Sequence, residues 1–208
     1  MVIFCFFGPD GAGKTTLIKN LSLKLQKSHR IKLSWMRGSH TLTSLLAKLL
    51  SRLSFFQGSD NPYYKIRIPE KLKGLWQFLE FASAIPVIIS RFILPSLVGY
   101  WIIADRYSID LEVWIGMTTK DSSFFAKFPA RVLTAVAQKA NAKFYVKADI
   151  GTLRNRTQSL PYPEEQIVSY DKLARLVGAA TIDTTNQSAV DALACVLETL
   201  ERDYRIAE

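Results

Sequence analysis

The sequence predicts an α/β fold in three layers: a five-stranded parallel sheet with helices on both faces and a short lid, built as one domain over residues 1–208. Three observations predict it. Apolar runs of strand length alternate along the chain with stretches whose apolar residues recur at helical spacing, a pattern that implies right-handed crossovers and a parallel sheet. The first run, Val2 to Phe7, is apolar without a break, as expected of a strand covered on both faces. The chain has 208 residues, 49% of them hydrophobic, which is enough to bury a substantial core.

The elements follow in order. After the strand Val2 to Phe7, Lys14 to Gln26 places Leu17, Leu21 and Leu25 four apart on one side of a helix. Ile31 to Met36 reads as a second strand, and Thr41 to Leu53 as a helix with Leu42, Leu45, Leu46, Leu49 and Leu53 on one stripe. Glycine, asparagine and proline mark Ser54 to Pro69 as a loop. Glu70 to Leu97 reads as a long helix broken near Pro86 or Pro95, because proline lacks the amide the helix needs. Trp101 to Ala104 is the third strand. A helix over Ser122 to Ala140, a strand over Lys143 to Val146, a helix over Glu164 to Leu176, a strand over Ala179 to Ile182 and a helix over Ser188 to Asp203 complete the alternation.

The charge favours anionic partners: 27 Lys and Arg stand against 18 Asp and Glu, a net of +9. Two cysteines, Cys5 and Cys195, are too few for a disulfide framework and suit a reducing cytoplasm. The amino-terminal MVIFCFF lacks a basic start and a cleavage site, so it does not read as a signal peptide. Phe81 to Ala104 is long and apolar enough to be weighed as a membrane span. Pro86, Pro95, Gly99 and the polar Asp105 beyond favour a buried helix followed by a central strand, and neither a membrane nor nucleic acid is expected as a partner.

The chemistry concentrates where the strands end. Gly8-Pro9-Asp10-Gly11-Ala12-Gly13-Lys14-Thr15 fits G-x-x-x-x-G-K-[ST], with a strand before it and a helix after it. Such glycines turn backbone amides inward as an anion nest, and the following helix adds its positive end. Gly8, Asp10, Gly11, Ala12, Gly13, Lys14, Thr15 and Thr16 are therefore the expected ATP-binding residues, with Lys14 reaching the β- and γ-phosphates. Thr15 and Asp105, the carboxylate ending the strand Trp101 to Ala104, are the expected Mg²⁺ ligands. Arg106 follows Asp105 at the same strand edge and reads as a phosphate clamp. His40 reads as a loop residue, since with only His29 beside it no metal set exists. One or two of Trp35, Tyr63, Tyr64, Trp76 and Trp114 are expected to stack on an acceptor.

GPDGAGKTT, the Asp105-Arg106-Tyr107 triplet, the late Thr181-Ile182-Asp183-Thr184 turn and the helix containing Ile93 to Gly99 together resemble the thymidylate kinase family of P-loop nucleotide kinases. The resemblance implies that Asp10 contacts the acceptor's sugar hydroxyl, that Arg106 and Arg37 bind the acceptor phosphate, and that Tyr107 and Asp110 stand beside them. It also implies a mobile lid over about residues 152–164. Gly11 stands where the family can carry an arginine, which assigns the catalytic arginine to that lid, as Arg154 or Arg156. Alternate arginines on a helix lie about 200° apart, so one of the two is expected to point inward. Lys14, Asp105, Arg106 and a lid arginine then form the catalytic set.

Departures accompany the likeness. Arg37-Gly38-Ser39-His40 stands where the family has Arg-Glu-Pro-Gly, Asp110, Trp114 and Ile115 occupy the offsets tied to the thymidine pocket, and Ile85 lies near the place of a helix arginine. The implied function is Mg²⁺- and ATP-dependent phosphoryl transfer to a nucleoside monophosphate, thymidylate first, in cytoplasmic nucleotide biosynthesis, with a homodimer left open. The alternatives are the same scaffold acting on another nucleotide, a nucleoside, or a sugar or lipid alcohol, and a nucleotide-binding switch without an acceptor.

Overall fold

The computed structural model describes residues 1–36, 42–61, 64–157 and 163–204. Expectations placed on Arg37, His40 and Tyr63 lie outside them. The elements run β1 (Val2–Phe7), α1 (Lys14–Leu25), β2 (Ile31–Trp35), α2 (Leu42–Leu50), β3 (Gln57–Asn61), α3 (Lys73–Ile88), α4 (Leu94–Leu97), β4 (Trp101–Asp105), α5 (Ser108–Thr118), α6 (Phe128–Gln138), β5 (Ala142–Lys147), α7 (Ile150–Arg156), α8 (Pro163–Val177), β6 (Ala180–Asp183) and α9 (Ala189–Tyr204). Five strands form one sheet in the order β2-β4-β1-β5-β6, and each adjacent pair is parallel.

The period of two in a strand decides the layering. Ile3, Cys5 and Phe7 of β1 face one core, packed with α3, α5, α6 and α8. Phe4 and Phe6 face the other, packed with α1 and α9. Cross-strand aromatic pairs fix β1 on β5: Phe6 stacks on Phe144 at 4.8 Å and Phe7 on Tyr145 at 5.7 Å. A strand apolar on both faces thus becomes the centre of three layers, and the loop that follows it opens at the sheet's carboxyl edge.

Four expectations are corrected. The chain does not break at Pro86: α3 passes through it, a π turn spans Ile89–Ile93, and α4 follows directly. In an α-helix the amide of residue 95 would bond the Arg91 carbonyl, and Pro95 has none. The Ser34 hydroxyl of β2 donates to that carbonyl instead, at 2.8 Å. This helical stretch, Glu70–Leu97, is long and apolar enough to cross a membrane: its apolar 18-residue window has a mean hydropathy of 1.6, and 39% of that window is buried. Its inner face packs Phe81, Ala84, Ile88 and Phe92 into the core, while Leu75, Phe78, Ile85 and Ile89 are exposed.

The second correction is α2, whose leucine stripe faces outward: Thr43, Ser44 and Ala47 are buried, whereas Leu45, Leu46 and Leu49 are exposed. Third, the expected loop Ser54 to Pro69 contains β3, which bridges Ile66 from Gln57 and Asn61 in antiparallel fashion, outside the main sheet. Fourth, the Ser122 to Ala140 helix is divided into a 3-10 turn, Ser122–Ala126, and α6, with Pro129 in the first turn of α6. Lys127, between the two, donates to Asp121 at 2.7 Å and to Gln77 of α3 at 3.0 Å, and Gln77 in turn donates to Thr119 and Asp121.

Helix α5 has no counterpart among the expected elements. It buries Ser108, Ile109, Asp110, Leu111, Glu112, Val113, Ile115, Gly116 and Thr118, so nearly every side is interior and no polar face marks the period. Glu112 accepts one hydrogen bond, from the Thr134 hydroxyl of α6 at 2.8 Å, and its other carboxyl oxygen is buried without a partner. Burial pushes its pKa from 4.5 up to about 8. The folded state therefore holds a proton that the unfolded chain has released. That contribution to stability is complete below pH 4.5 and is lost as pH rises through 8. Glu112→Gln keeps the bond-forming shape without the charge, so thermal melts of the variant are expected to stay level from pH 5 to pH 8, where the parent loses several degrees. An unchanged pH slope in the variant would exclude Glu112 as its source.

Candidate active site

The loop between β1 and α1 has the geometry its glycines allow. Gly8 has φ +140, and a Cβ there would lie 2.1 Å from the Val146 carbonyl oxygen. Gly11, at φ +85, sits 3.2 Å by the same measure from the Leu153 carbonyl oxygen of α7. These positions join the loop to β5 and to α7, and a side chain at Gly8 cannot be fitted without moving backbone. Lys14 opens α1 with its side chain buried, its Nζ donating to the carbonyls of Gly8 at 2.8 Å and Pro9 at 2.7 Å. Burial, and after it the neighbouring Arg106 charge, lower its pKa from 10.5 to about 7 against the opposing pull of Asp110, Asp10 and Asp105. Thr15 donates from Oγ1 to Asp105 Oδ2 at 2.9 Å, joining the two expected metal ligands directly. Both are oxygen donors of the kind Mg²⁺ takes. Among the described residues no cluster of three or more His, Cys, Asp or Glu could hold a metal ion.

Behind the loop lies a buried charge network. The strand β4 ends at Asp105, and the chain turns through Arg106 in the left-handed region, φ 67, with the Arg106 amide donating to the Phe6 carbonyl at 3.0 Å. Its guanidinium pairs with Asp10 of the loop and with Asp110 of α5, the latter at 2.9 Å. Asp110 also accepts from the Tyr107 amide at 3.2 Å, the Tyr170 hydroxyl of α8 at 2.9 Å and, at 3.5 Å, the Gly8 amide. Burial raises the Asp110 pKa, opposed by Arg106 and Lys14 and by the bonds from Tyr170 and Tyr107. For Arg106 the carboxylates outweigh burial and hold the guanidinium charged.

The start of the expected lid is ordered helix. Asp149 caps α7, accepting from the Thr152 amide at 3.0 Å, and Leu153 is buried. Arg156 donates to the hydroxyl of Thr184 at 3.1 Å and to its carbonyl at 3.0 Å. Thr184 also donates to the Ala12 carbonyl of the loop at 3.0 Å, so one hydroxyl joins the arginine to the nest. Arg154 is exposed and lies 3.9 Å from Glu164. Residues 158–162 of the expected lid are outside the described region.

A cavity of about 560 Å³ collects these groups: Asp10, Gly11, Gly13, Lys14, Thr15, Thr16, Trp35, Asp105, Arg106 and Arg156 line it. A smaller one of about 240 Å³ continues past Thr16 and Arg156 toward Thr184 and Ala192. Gly8 and Ala12 support the loop from behind, and Arg154 does not line the cleft. Tyr107 and Asp110, expected in the acceptor set, are placed in the interior, with Asp110 bracing Arg106. Of the aromatic candidates Trp35 lines the cleft. Trp76 packs in a small core with Ala47, Ile66 and Ile68, Tyr64 packs against that core, and Trp114 packs against the main one. Tyr170 and Thr184 were not expected as site residues: a tyrosine on a periodic helix carries no local signal, and Thr184 stood out only as part of the late turn Thr181 to Thr184.

No family model matches the chain, and no curated protein matches it by sequence. Solved structures do match. A thymidylate kinase from Candida albicans is 15% identical with a TM-score of 0.63, covering 97% of this chain and 91% of its own. The thymidylate kinase from Ehrlichia chaffeensis is 17% identical with a TM-score of 0.63, covering 96% and 98%. The chain has a thymidylate kinase-like P-loop α/β fold. In a thymidylate kinase-like sheet ordered β2-β4-β1-β5-β6, the connections reverse direction at β1, and the crevice beyond its carboxyl end is where ligands of open α/β sheets bind. The cavity lies there.

The close approach of Gly8 to Val146 sets a test of the loop alone. Gly8→Ala is expected to lower unfolding free energy by about 3 kcal/mol or more in urea titration. A loss under about 1 kcal/mol would mean that the loop is free to move away from β5.

Proposed function

We propose that this protein is a kinase that transfers the γ-phosphoryl group of ATP to a nucleoside monophosphate, with thymidylate as the first acceptor to test. The observation that carries the reading is that one cleft is lined by the glycine nest with Lys14, the Thr15–Asp105 pair, and two arginines from separate elements, Arg106 and Arg156. An anion nest alone would serve any nucleotide-binding protein; arginines converging on its open end suit a second anionic substrate.

In this reading the loop amides and Lys14 hold the β- and γ-phosphates, with the Lys14 ammonium exchanging the Gly8 and Pro9 carbonyls for phosphate oxygen. Thr15 and Asp105 would hold Mg²⁺, which when bound supplies charge neutralisation across the β- and γ-phosphates. Arg106, aimed by Asp110 and Tyr170, binds the acceptor's phosphate, and Asp10 shares its guanidinium until the acceptor arrives. Arg156 lies against the nest and neutralises charge on the transferring group. An oxygen of the acceptor phosphate attacks the γ-phosphorus, a new P–O bond forms, and the bond to the β-phosphate bridging oxygen breaks, releasing ADP. Rate comes from alignment and charge rather than from covalent work by the protein.

One observation favours a second reading. Arg106 is already paired with two carboxylates, Asp10 and Asp110. A site so neutralised also suits an acceptor alcohol, with Asp10 receiving the hydroxyl proton.

An ADP-release assay with thymidylate, the other nucleoside monophosphates and their nucleosides distinguishes the two. Turnover with monophosphates alone is the expected result; turnover with nucleosides alone would replace the first reading by the second. Lys14→Ala is expected to lower kcat/KM by at least about 10³-fold with the fold retained, and normal turnover would remove the mechanism. The two arginines of α7 should separate sharply. Arg156→Ala is expected to lower kcat by about 10²-fold or more, while Arg154→Ala stays within about threefold. Equal effects would show that the arginine's place at Thr184 is not the working one.

A further inference from the structure

A triphosphate laid on the glycine nest with its γ end at the Thr15–Asp105 pair extends its nucleoside the opposite way, past Thr16 and Arg156. The smaller cavity, about 240 Å³, opens there, and Gly13, Thr16 and Arg156 line it as they line the larger cleft. Its walls suit a flat heteroaromatic ring. Leu17, Ala189 and Ala192 supply apolar surface, and Arg156, held at Thr184 by two hydrogen bonds, supplies a guanidinium of the kind that packs on a ring face.

The polar groups beyond Arg156 differ in what they have left to offer a base. Thr184 Oγ1 donates to the Ala12 carbonyl and accepts from Arg156. The Ser188 hydroxyl donates to Asp191 Oδ2 at 2.7 Å and accepts from the Asp191 amide at 3.2 Å, as the cap of α9. Both hydroxyls are engaged within the protein. Gln187 also lines the cavity; it is exposed and has no hydrogen-bond partner among the described residues. Its side-chain amide carries an acceptor oxygen and a donor nitrogen in one plane, and half a turn about the last torsion exchanges their places. The pairing edge of adenine sets an amino donor beside a ring-nitrogen acceptor, whereas that of guanine sets a carbonyl acceptor beside a ring N–H donor. An amide that turns pairs with either edge. A side chain that only donates or only accepts would choose between them.

We infer that Gln187 reads the base of the phosphoryl donor and, by turning its amide, admits GTP as well as ATP. This rests on the nest as a triphosphate site and not on any acceptor, so binding alone tests it. The full chain with Mg²⁺ is titrated calorimetrically with the β,γ-imido analogues of ATP and GTP, which are not hydrolysed. The two are expected to bind within about tenfold of one another. Gln187→Leu removes both bonds to the base and should weaken each analogue by about fivefold. Gln187→Glu leaves acceptors only, which match the adjacent N–H donors of guanine and oppose the ring-nitrogen lone pair of adenine. The ratio of GTP-analogue to ATP-analogue affinity is then expected to rise by at least about tenfold. Both analogues carry the same charge, so repulsion by the new carboxylate cancels from that ratio. Gln187 is exposed outside the helices, and circular dichroism of both variants should match the parent. The inference is overturned if the parent favours the ATP analogue by more than about tenfold, if Gln187→Glu raises the ratio by less than that, or if Gln187→Leu weakens neither. A parent that binds neither analogue would overturn the nest and this inference together. The expected ratios without turnover on any monophosphate or nucleoside would uphold it and remove the kinase reading alone.

Discussion

The carboxylate of Asp110 is the point at which the architecture is tied together. It is buried, and burying an anion costs several kcal/mol unless a cation and hydrogen bonds replace the lost water. Here the replacements come from four directions: the guanidinium of Arg106 after β4, the amide of Tyr107 at the start of α5, the hydroxyl of Tyr170 on α8, and the amide of Gly8 at the end of β1. None of the four can leave without exposing the charge to apolar surroundings. Four elements, β1, β4, α5 and α8, are thereby held in one arrangement at the carboxyl edge of the sheet, and Arg106 is aimed into the cleft from a fixed base. The left-handed backbone at Arg106 is a strain that this network sustains.

The parts of this fold that the sequence disclosed are those with contrast. The sheet strands were visible because apolar runs end abruptly in glycine or charge, and the nest was visible because its glycines have no other ready explanation. Helix α5 was hidden for the opposite reason: buried on nearly all sides, it has no polar face against which a period could be seen. The prolines misled because a proline's effect on a helix depends on its surroundings, as at Pro95, where the freed Arg91 carbonyl takes the Ser34 hydroxyl, and that is tertiary information. At α2 the period was visible but its direction was not, since periodicity reports that a face is apolar without saying what the face meets.

The cleft divides along the same line. Lys14, Thr15, Asp105 and Arg106 are adjacent to strand ends, so topology alone brings them together. Arg156 rather than Arg154 lines the cleft, held by Thr184, which follows β6, the strand beside β5; the late turn was visible in the sequence, but its bond to Arg156 was not. Asp110 was expected to touch a ligand and instead braces the residue that faces the cleft. A charged side chain one helical turn from a site is as well placed to support it as to enter it.

The stitch at Pro95 reaches beyond the helix. Strand β2 is the outermost strand of the sheet, and the guanidinium of Arg91 donates to its Trp35 carbonyl at 3.0 Å, beside the Ser34 bond to the Arg91 carbonyl. An open border of a sheet invites a foreign strand to add itself. Because a missing proline amide leaves one carbonyl for Ser34, the helix is fastened along that border like a selvedge on cloth. One of the sheet's two borders is thus finished beside the residue that could least take part in a regular helix.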